Sequence, residues 1–471
     1  MSPIVLLILG IAVVVICILW LKIDAILALL FAAILVSVLT PEANLLQYAE
    51  SKMMSAEATN TFINQSIGKR IAANFGSTAA KIGILIAMAS IIGTCLLRSG
   101  SADRVIRSAL KFFGEKKAPA AFLTSGFTLG IPVFFDTVFY LMVPLTKALT
   151  LRVGKNYLFY LTATVAGAAM AHSLVPPTPG PLFVAGELGV ELGVMIIGGL
   201  VVGLFTITAG YLYAAWANKR WTIPLRDTGD VSLEELNVLM NKDDHELPPL
   251  WLALTPIILP LILISANTVA GVVSVSEAGT GMKIFKFLGD SNIALTLSAV
   301  VSLAILISTV SDKGKIKKFI LEALQSAGVI ILITCMGGAF GGSLQQTGIG
   351  SQLQALATDY QMAILPLAFF ITSLMRTAQG SATVGMITAV GIIGGMVDTT
   401  ALDFHPVYLA LMIGCGSKPF PWMNDSGFWV VCKMSGMTEK EALKTFSTVL
   451  GIMGYVGMIV IIILAKLFPL V

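Results

Sequence analysis

The chain has 471 residues, 56% of them hydrophobic and only 12% charged, with a formal net charge of +4 and a mean hydropathy of +0.89. An ordinary soluble protein carries about 25% charged residues, whereas a helix crossing about 30 Å of hydrocarbon needs roughly 20 apolar residues, and about ten such stretches run through this sequence. That excludes a soluble globular protein and reads as an all-α polytopic membrane protein. The small positive balance implies no nucleic-acid partner, because basic residues collect on the cytoplasmic side of membrane proteins whatever they bind.

In chain order, windows of about 19 residues place spans near 3–21, 23–40, 80–98, 157–190, 194–217, 250–268, 292–310, 320–344, 405–433 and 446–468. These runs are apolar on every face rather than alternating, which excludes a β-barrel. The first begins at Pro3 with no basic residue before it and reaches Trp20 and Lys22 without a small-residue cleavage site, so it reads as a retained span rather than a signal peptide. The runs at 157–190 and 405–433 are interrupted by prolines. Two further apolar regions, 118–150 and 362–397, are too long for one span and carry polar or helix-breaking residues at their centres, which predicts two re-entrant hairpins. Cys17, Cys95, Cys335, Cys415 and Cys432 lie singly in or beside apolar runs without metal-ligand spacing and read as small buried hydrophobes.

Segment 99–117 carries Arg104, Arg107, Lys111, Lys116 and Lys117, and 311–318 carries Lys313, Lys315, Lys317 and Lys318, whereas 345–361 and 398–404 hold no Lys or Arg. The first two are therefore expected in the cytoplasm and the other two outside. If each hairpin returns to the side it entered from, both termini are extracytoplasmic. The expected organisation is two N-terminal spans with an external loop (1–79), a first transport repeat (80–217), a cytoplasmic linker (218–248), two connecting spans (249–319) and a second transport repeat (320–471). IGTCLLRSGSADR (92–104) parallels FGGSLQQTGIGSQ (340–352), aligning Gly93 with Gly341 and Gly100 with Gly348. A hairpin, a broken span and a span follow in each case. The first copy starts outside and the second inside, which makes them inverted-topology repeats of the kind that builds many secondary transporters.

Four interruptions hold the polar chemistry. The hairpins turn at GIPVFFD (130–136) and RTAQGSAT (376–383), and the broken spans open at HSLVPPTPGP (172–181) and GSKPFPWMNDSG (416–427). Proline removes a backbone donor and cannot continue a helix, and unwound backbone at membrane depth is tolerated only where protein or water satisfies it. The breaks are therefore expected to converge on a wet cavity whose half-helix N-termini favour a carboxylate. Gly130, Thr178, Gln379, Gly380, Ser381, Thr383, Asn424 and Ser426 are candidate substrate contacts. Arg376 fits two roles, partner of a substrate carboxylate or counter-ion of an aspartate. Asp136, Asp425 and His172 are candidate carriers of a coupling proton. Lys418 reads as snorkelling to the interface, and His245 and His405 as incidental. Four charges facing lipid would cost roughly 10–14 kcal/mol, so Asp136, Arg376, Lys418 and Asp425 must pair or face water. GxxxxGK[ST], HExxH and GxSxG are absent, so neither nucleotide-driven transport nor a familiar hydrolase has support. No cofactor or metal is expected. The residues read as a proton-driven secondary transporter of a small hydroxylated organic anion. Sodium coupling is the nearest alternative, and a membrane enzyme using Asp136, His172 and Asp425 as acid–base groups is a rival from another class.

At GIPVFFD, HSLVPPTPGP, GGSLQQTGIG (341–350), RTAQGSAT and NDSGFW (424–429) the chain resembles the gluconate permease family of bacterial proton symporters, within the ion transporter superfamily. It departs from the family's HGFLPPHPGP at Ser173 and Thr178, among other positions, and carries Trp422 and Met423 where the family commonly reads Ser-His. The resemblance implies uptake of gluconate or a related sugar acid with protons across the bacterial inner membrane. It also implies an elevator-like movement of the site and a homodimer.

Overall fold

The computed structural model describes residues 2–226, 247–272, 280–349, 361–397, 402–423 and 425–470, all of whose regular structure is helical. Most of the 218–248 linker and Asn424 lie outside the described residues, as does His245. A helical pair, α1 (Pro3–Leu19) and α2 (Ala25–Leu39), leads into two short helices, α3 (Glu42–Ser51) and α4 (Ala56–Ile63), and then α5 (Ile67–Arg98). After α6 (Ser101–Phe113) come the hairpin arms α7 (Ala118–Gly130) and α8 (Phe135–Val153), the broken pair α9 (Tyr157–Leu174) and α10 (Pro179–Glu187), and α11 (Leu192–Arg220). The second half begins with α12 (Leu250–Val272), α13 (Thr280–Gly289) and α14 (Ser291–Thr309), followed by α15 (Lys313–Gln345). Its hairpin arms are α16 (Ile364–Gln379) and α17 (Ala382–Val397), its broken pair α18 (Val407–Gly416) and α19 (Ser426–Ser435), and its last helix α20 (Glu439–Leu467), which contains a π turn at Leu443–Ser447.

Among the described residues, seven helices are long and apolar enough to cross a membrane unaided, namely α5, the α9–α10 pair counted as one, α11, α12, α14, α15 and α20. The other three of the ten expected spans correspond to the 17-residue α1, the 15-residue α2 and the ten-residue halves α18 and α19. The stretch 41–79, expected as an external loop, instead holds α3, α4 and the first turns of α5. Ser66 caps α5 by accepting from the Lys69 N–H at 3.4 Å, satisfying one of the orphan donors of a helix start. Lys69, Arg70, Asn74 and Lys81 dilute the hydropathy there without interrupting the helix. The same holds at α15, where Asp312 accepts from the Gly314 and Lys315 N–H groups at 2.8 and 3.2 Å, so the helix starts at Lys313 rather than near 320.

α5 and α15, each about 50 Å long at 1.5 Å per residue, pack along one another, with α14 on α5 and α2 on α15. A left-handed glycine follows each, Gly100 (φ +79°) two residues after α5 and Gly348 (φ +73°) three residues after α15, a conformation glycine adopts without steric cost. The hairpins and broken helices form a second block in which α7 lies on α9, α16 on α17 and α18, and α8 on both α9 and α19, while α10 and α17 meet α15. Small residues permit this closeness. A Cβ at Gly167 of α9 would strike the Leu123 carbonyl of α7, and one at Gly341 of α15 would come within 2.9 Å of the Gly391 Cα of α17.

Candidate functional site

Three helix N-termini meet inside the second block. α8 starts at Phe134, which caps it in an extended conformation and places Asp136 in the first turn. α17 starts after Ser381, whose hydroxyl accepts from the Val384 N–H at 3.3 Å, because α16 has just ended at Gly380 in a left-handed conformation. α19 starts after Asp425, whose Oδ1 accepts from the Phe428 N–H at 2.7 Å. These ends border a cavity of about 180 Å³ lined by Asp136, His172, Arg376, Ser381, Thr383, Lys418, Asp425 and Ser426, with apolar walls that include Phe134, Phe135, Ala169 and Phe446. The volume lies below the roughly 300 Å³ at which pockets for drug-sized ligands begin, so the space suits a small metabolite.

Arg376 and Asp425 form the central ion pair, Nη2 to Oδ2 at 2.7 Å, with side chains only 4% and 7% exposed. The Arg376 Nε also donates to the Ser417 carbonyl at 3.1 Å, which ties α16 to the end of α18. Its Nη1 is buried and has no hydrogen-bond partner among the described residues. Deleting one member of a buried pair leaves an uncompensated charge and costs about 3–5 kcal/mol, so this pair fixes the geometry of both breaks. Lys418 donates to the Ala169 carbonyl at 2.9 Å and is 3% exposed. It does not snorkel. The bond to the Ala169 carbonyl turns its side chain inward, onto α9. The His172 Nε2 lies 3.5 Å from the Thr383 hydroxyl, and its Nδ1 is buried without a partner among the described residues.

The cavity therefore holds two acids, Asp136 and Asp425, and two bases, Arg376 and Lys418. Those formal charges cancel when all four are ionised, and the three helix N-termini add partial positive charge. The surplus favours one added anion. Gly427 lets the groups crowd together: a Cβ there would lie 3.0 Å from Asp425 Oδ1 and 3.3 Å from Asp136 Oδ1.

Of the residues singled out from sequence, Asp136, His172, Arg376, Ser381, Thr383, Asp425 and Ser426 line this one cavity, and four do not. Gly130 packs against α9, where a Cβ would come within 2.8 Å of the Ala168 carbonyl. The Thr178 hydroxyl is turned to the Val175 carbonyl at 2.8 Å, Gln379 donates to the Thr388 hydroxyl at 3.0 Å, and Gly380 serves as the end of α16. Asn424 lies outside the described residues. Sequence reading missed Phe134, Ala169 and Phe446 as lining, since nothing separates them from other apolar residues until the helices are packed.

Broken helices whose ends enclose buried charges, in an apolar all-helical chain, make a membrane transporter. The sequence model described as GntP family permease matches residues 2–468, and the chain belongs to that family. It is 34% identical over 409 residues to an uncharacterized permease of Haemophilus influenzae, covering 84% of this chain and 83% of that one. It is 30% identical to the gluconate permease of Pseudomonas aeruginosa, over 85% and 88% of the two chains. It is 29% identical to a low-affinity gluconate transporter of Escherichia coli, over 82% and 85%. Among solved structures, the Alcanivorax borkumensis YdaH transporter shares the fold with a TM-score of 0.63 at 14% identity, covering 89% of this chain and 91% of that chain.

Proposed function

We propose that the protein imports a small hydroxylated carboxylate, gluconate or a related sugar acid, together with protons across the bacterial inner membrane. The observation that carries this reading is Arg376, held by Asp425 and Ser417 with Nη1 still unpartnered, in a cavity ringed by three helix N-termini. That arrangement suits a carboxylate, and Ser381, Thr383 and Ser426 supply hydroxyls for the substrate's own. The names of the Pseudomonas and Escherichia relatives point to the same substrate class. Asp136, which lines the cavity and has no ion pair among the described residues, is the first candidate for the coupling proton. Asp425 and His172 are the others.

The same reading takes 80–217 and 320–471 as inverted repeats of ten crossings in all, joined by the 218–248 linker and the two spans of 249–319. Matching left-handed glycines after α5 and α15 and the shared order of hairpin, broken pair and long helix support it. The hairpins and broken helices would move as one body against α5 and α15 in an elevator-type cycle, in a homodimer with both termini extracytoplasmic. The test is uptake of labelled gluconate by purified protein in liposomes. Accumulation under an inward proton gradient, abolished by a protonophore and indifferent to replacing sodium by choline, is the expected result. Uptake that survives the protonophore and fails in choline would overturn proton coupling in favour of sodium.

A further inference from the structure

A second cavity, of about 520 Å³, lies between α5, α15 and the tip of the first hairpin. Among the described residues, Phe134 alone lines both this space and the substrate cavity. We infer that the Phe134 ring is the gate between the substrate site and a vestibule that opens towards the basic face of the molecule. The vestibule is the more spacious of the two, and Ser90, Thr94, Thr137 and Ser326 give it hydroxyls able to accompany a hydrated anion. Among its lining residues, Arg98 of α5 reaches Glu322 of α15 at 3.3 Å and lies over the Phe319 ring, so the two long helices are tied beside the vestibule. The hairpin tip is seated on α5 at Gly93, where a Cβ would stand 3.0 Å from the Pro132 carbonyl. Phe134 caps α8 beside that seat, and its ring stands edge-on to His172 of the substrate cavity with centroids 5.8 Å apart. A side chain can swing aside without moving the helices that carry it, on a far shorter timescale than domain motion. The face concerned follows α5 into Arg104, Arg107 and Lys111, which the positive-inside rule places in the cytoplasm. The direction of substrate flow through the gate, release to the cytoplasm, rests on the transport reading above.

The experiment uses full-length protein in inside-out vesicles and a charged, membrane-impermeant methanethiosulfonate reagent. The five native cysteines are buried and set the background. Thr94→Cys reports on the vestibule and Ala382→Cys on the substrate cavity. Thr94→Cys should react from the cytoplasmic face at a rate that does not depend on residue 134. Ala382→Cys should react slowly beside Phe134 and at least about tenfold faster beside Phe134→Ala, since a minor open state is populated at roughly 0.1–10%. Phe134→Leu should fall between the two and provides the comparison if the alanine variant folds poorly. Equal rates for Ala382→Cys with phenylalanine, leucine or alanine at 134, or reaction only from the opposite face, would overturn the gate. No substrate is added, so a failure of gluconate uptake would defeat the transport reading and leave this result standing, and the reverse also holds.

Discussion

Arg376→Lys separates a carboxylate partner from a purely structural counter-ion. Arginine here serves three directions from one planar group: Nη2 to Asp425 at 2.7 Å, Nε to the Ser417 carbonyl at 3.1 Å, and Nη1 with no partner among the described residues. A lysine ammonium keeps the charge opposite Asp425 but cannot reproduce the fork. The variant should therefore stay folded while losing one charge-assisted hydrogen bond to the substrate, worth about 1.5–3 kcal/mol. That is a factor of about 10–150 in affinity. Arg376→Gln, by contrast, strands the buried Asp425 and should cost about 3–5 kcal/mol of stability as well. Equilibrium binding of labelled gluconate to purified protein, read beside a thermal melt of the same sample, distinguishes the two. A lysine variant that binds as tightly as the parent would refute the pairing of Arg376 with substrate.

Three further outcomes are expected. Asp136→Asn should leave gluconate exchange measurable while removing the protonophore-sensitive accumulation, as followed in liposomes with and without a pH gradient; unchanged accumulation would take Asp136 out of coupling. Gly427→Ala should weaken substrate binding by about 1–3 kcal/mol, because its Cβ would press on the Asp425 and Asp136 carboxylates; an isotherm like the parent's would show that the cavity relaxes. Arg226→Ala removes a fork in which both Glu441 oxygens accept at 2.6 and 2.9 Å, but the two side chains are 36% and 25% exposed. Its cost should stay below about 1 kcal/mol and shrink further in high salt, and a larger, salt-independent drop in melting temperature would contradict that.

The parts of this molecule that could be read from sequence are those where one residue type has one physical consequence. Single prolines are carried inside helices here, Pro144 in α8 and Pro256 and Pro260 in α12. The clustered prolines at 176, 177, 179 and 181 and at 419 and 421 instead remove several backbone donors within one turn or two, so the breaks between α9 and α10 and between α18 and α19 follow from local chemistry. The ionisable residues beside them had to share a polar space because lipid would not take them. Features set by packing did not show. The first turns of α5 looked like loop because Lys69 and Arg70 lower the hydropathy, whereas Arg70 is only 5% exposed and lies over the Phe62 ring. Lys418 looked like an interface residue because its carbonyl partner, Ala169, is distant in sequence. Thr178 looked like a ligand for the substrate, yet its hydroxyl is used by its own turn. Phe134 carried no signal at all, because its place in the lining of two cavities exists only after α5, α8 and α9 have assembled.

The most direct measurement is an electron cryo-microscopy map of the protein in a lipid nanodisc with gluconate bound. Density for the carboxylate should lie within hydrogen-bonding distance of Arg376, between the α17 and α19 N-termini at Ser381 and Ser426. A sugar acid bound away from these helix ends, with Arg376 still engaged only by Asp425 and Ser417, would contradict the convergence of broken helices on one anion site.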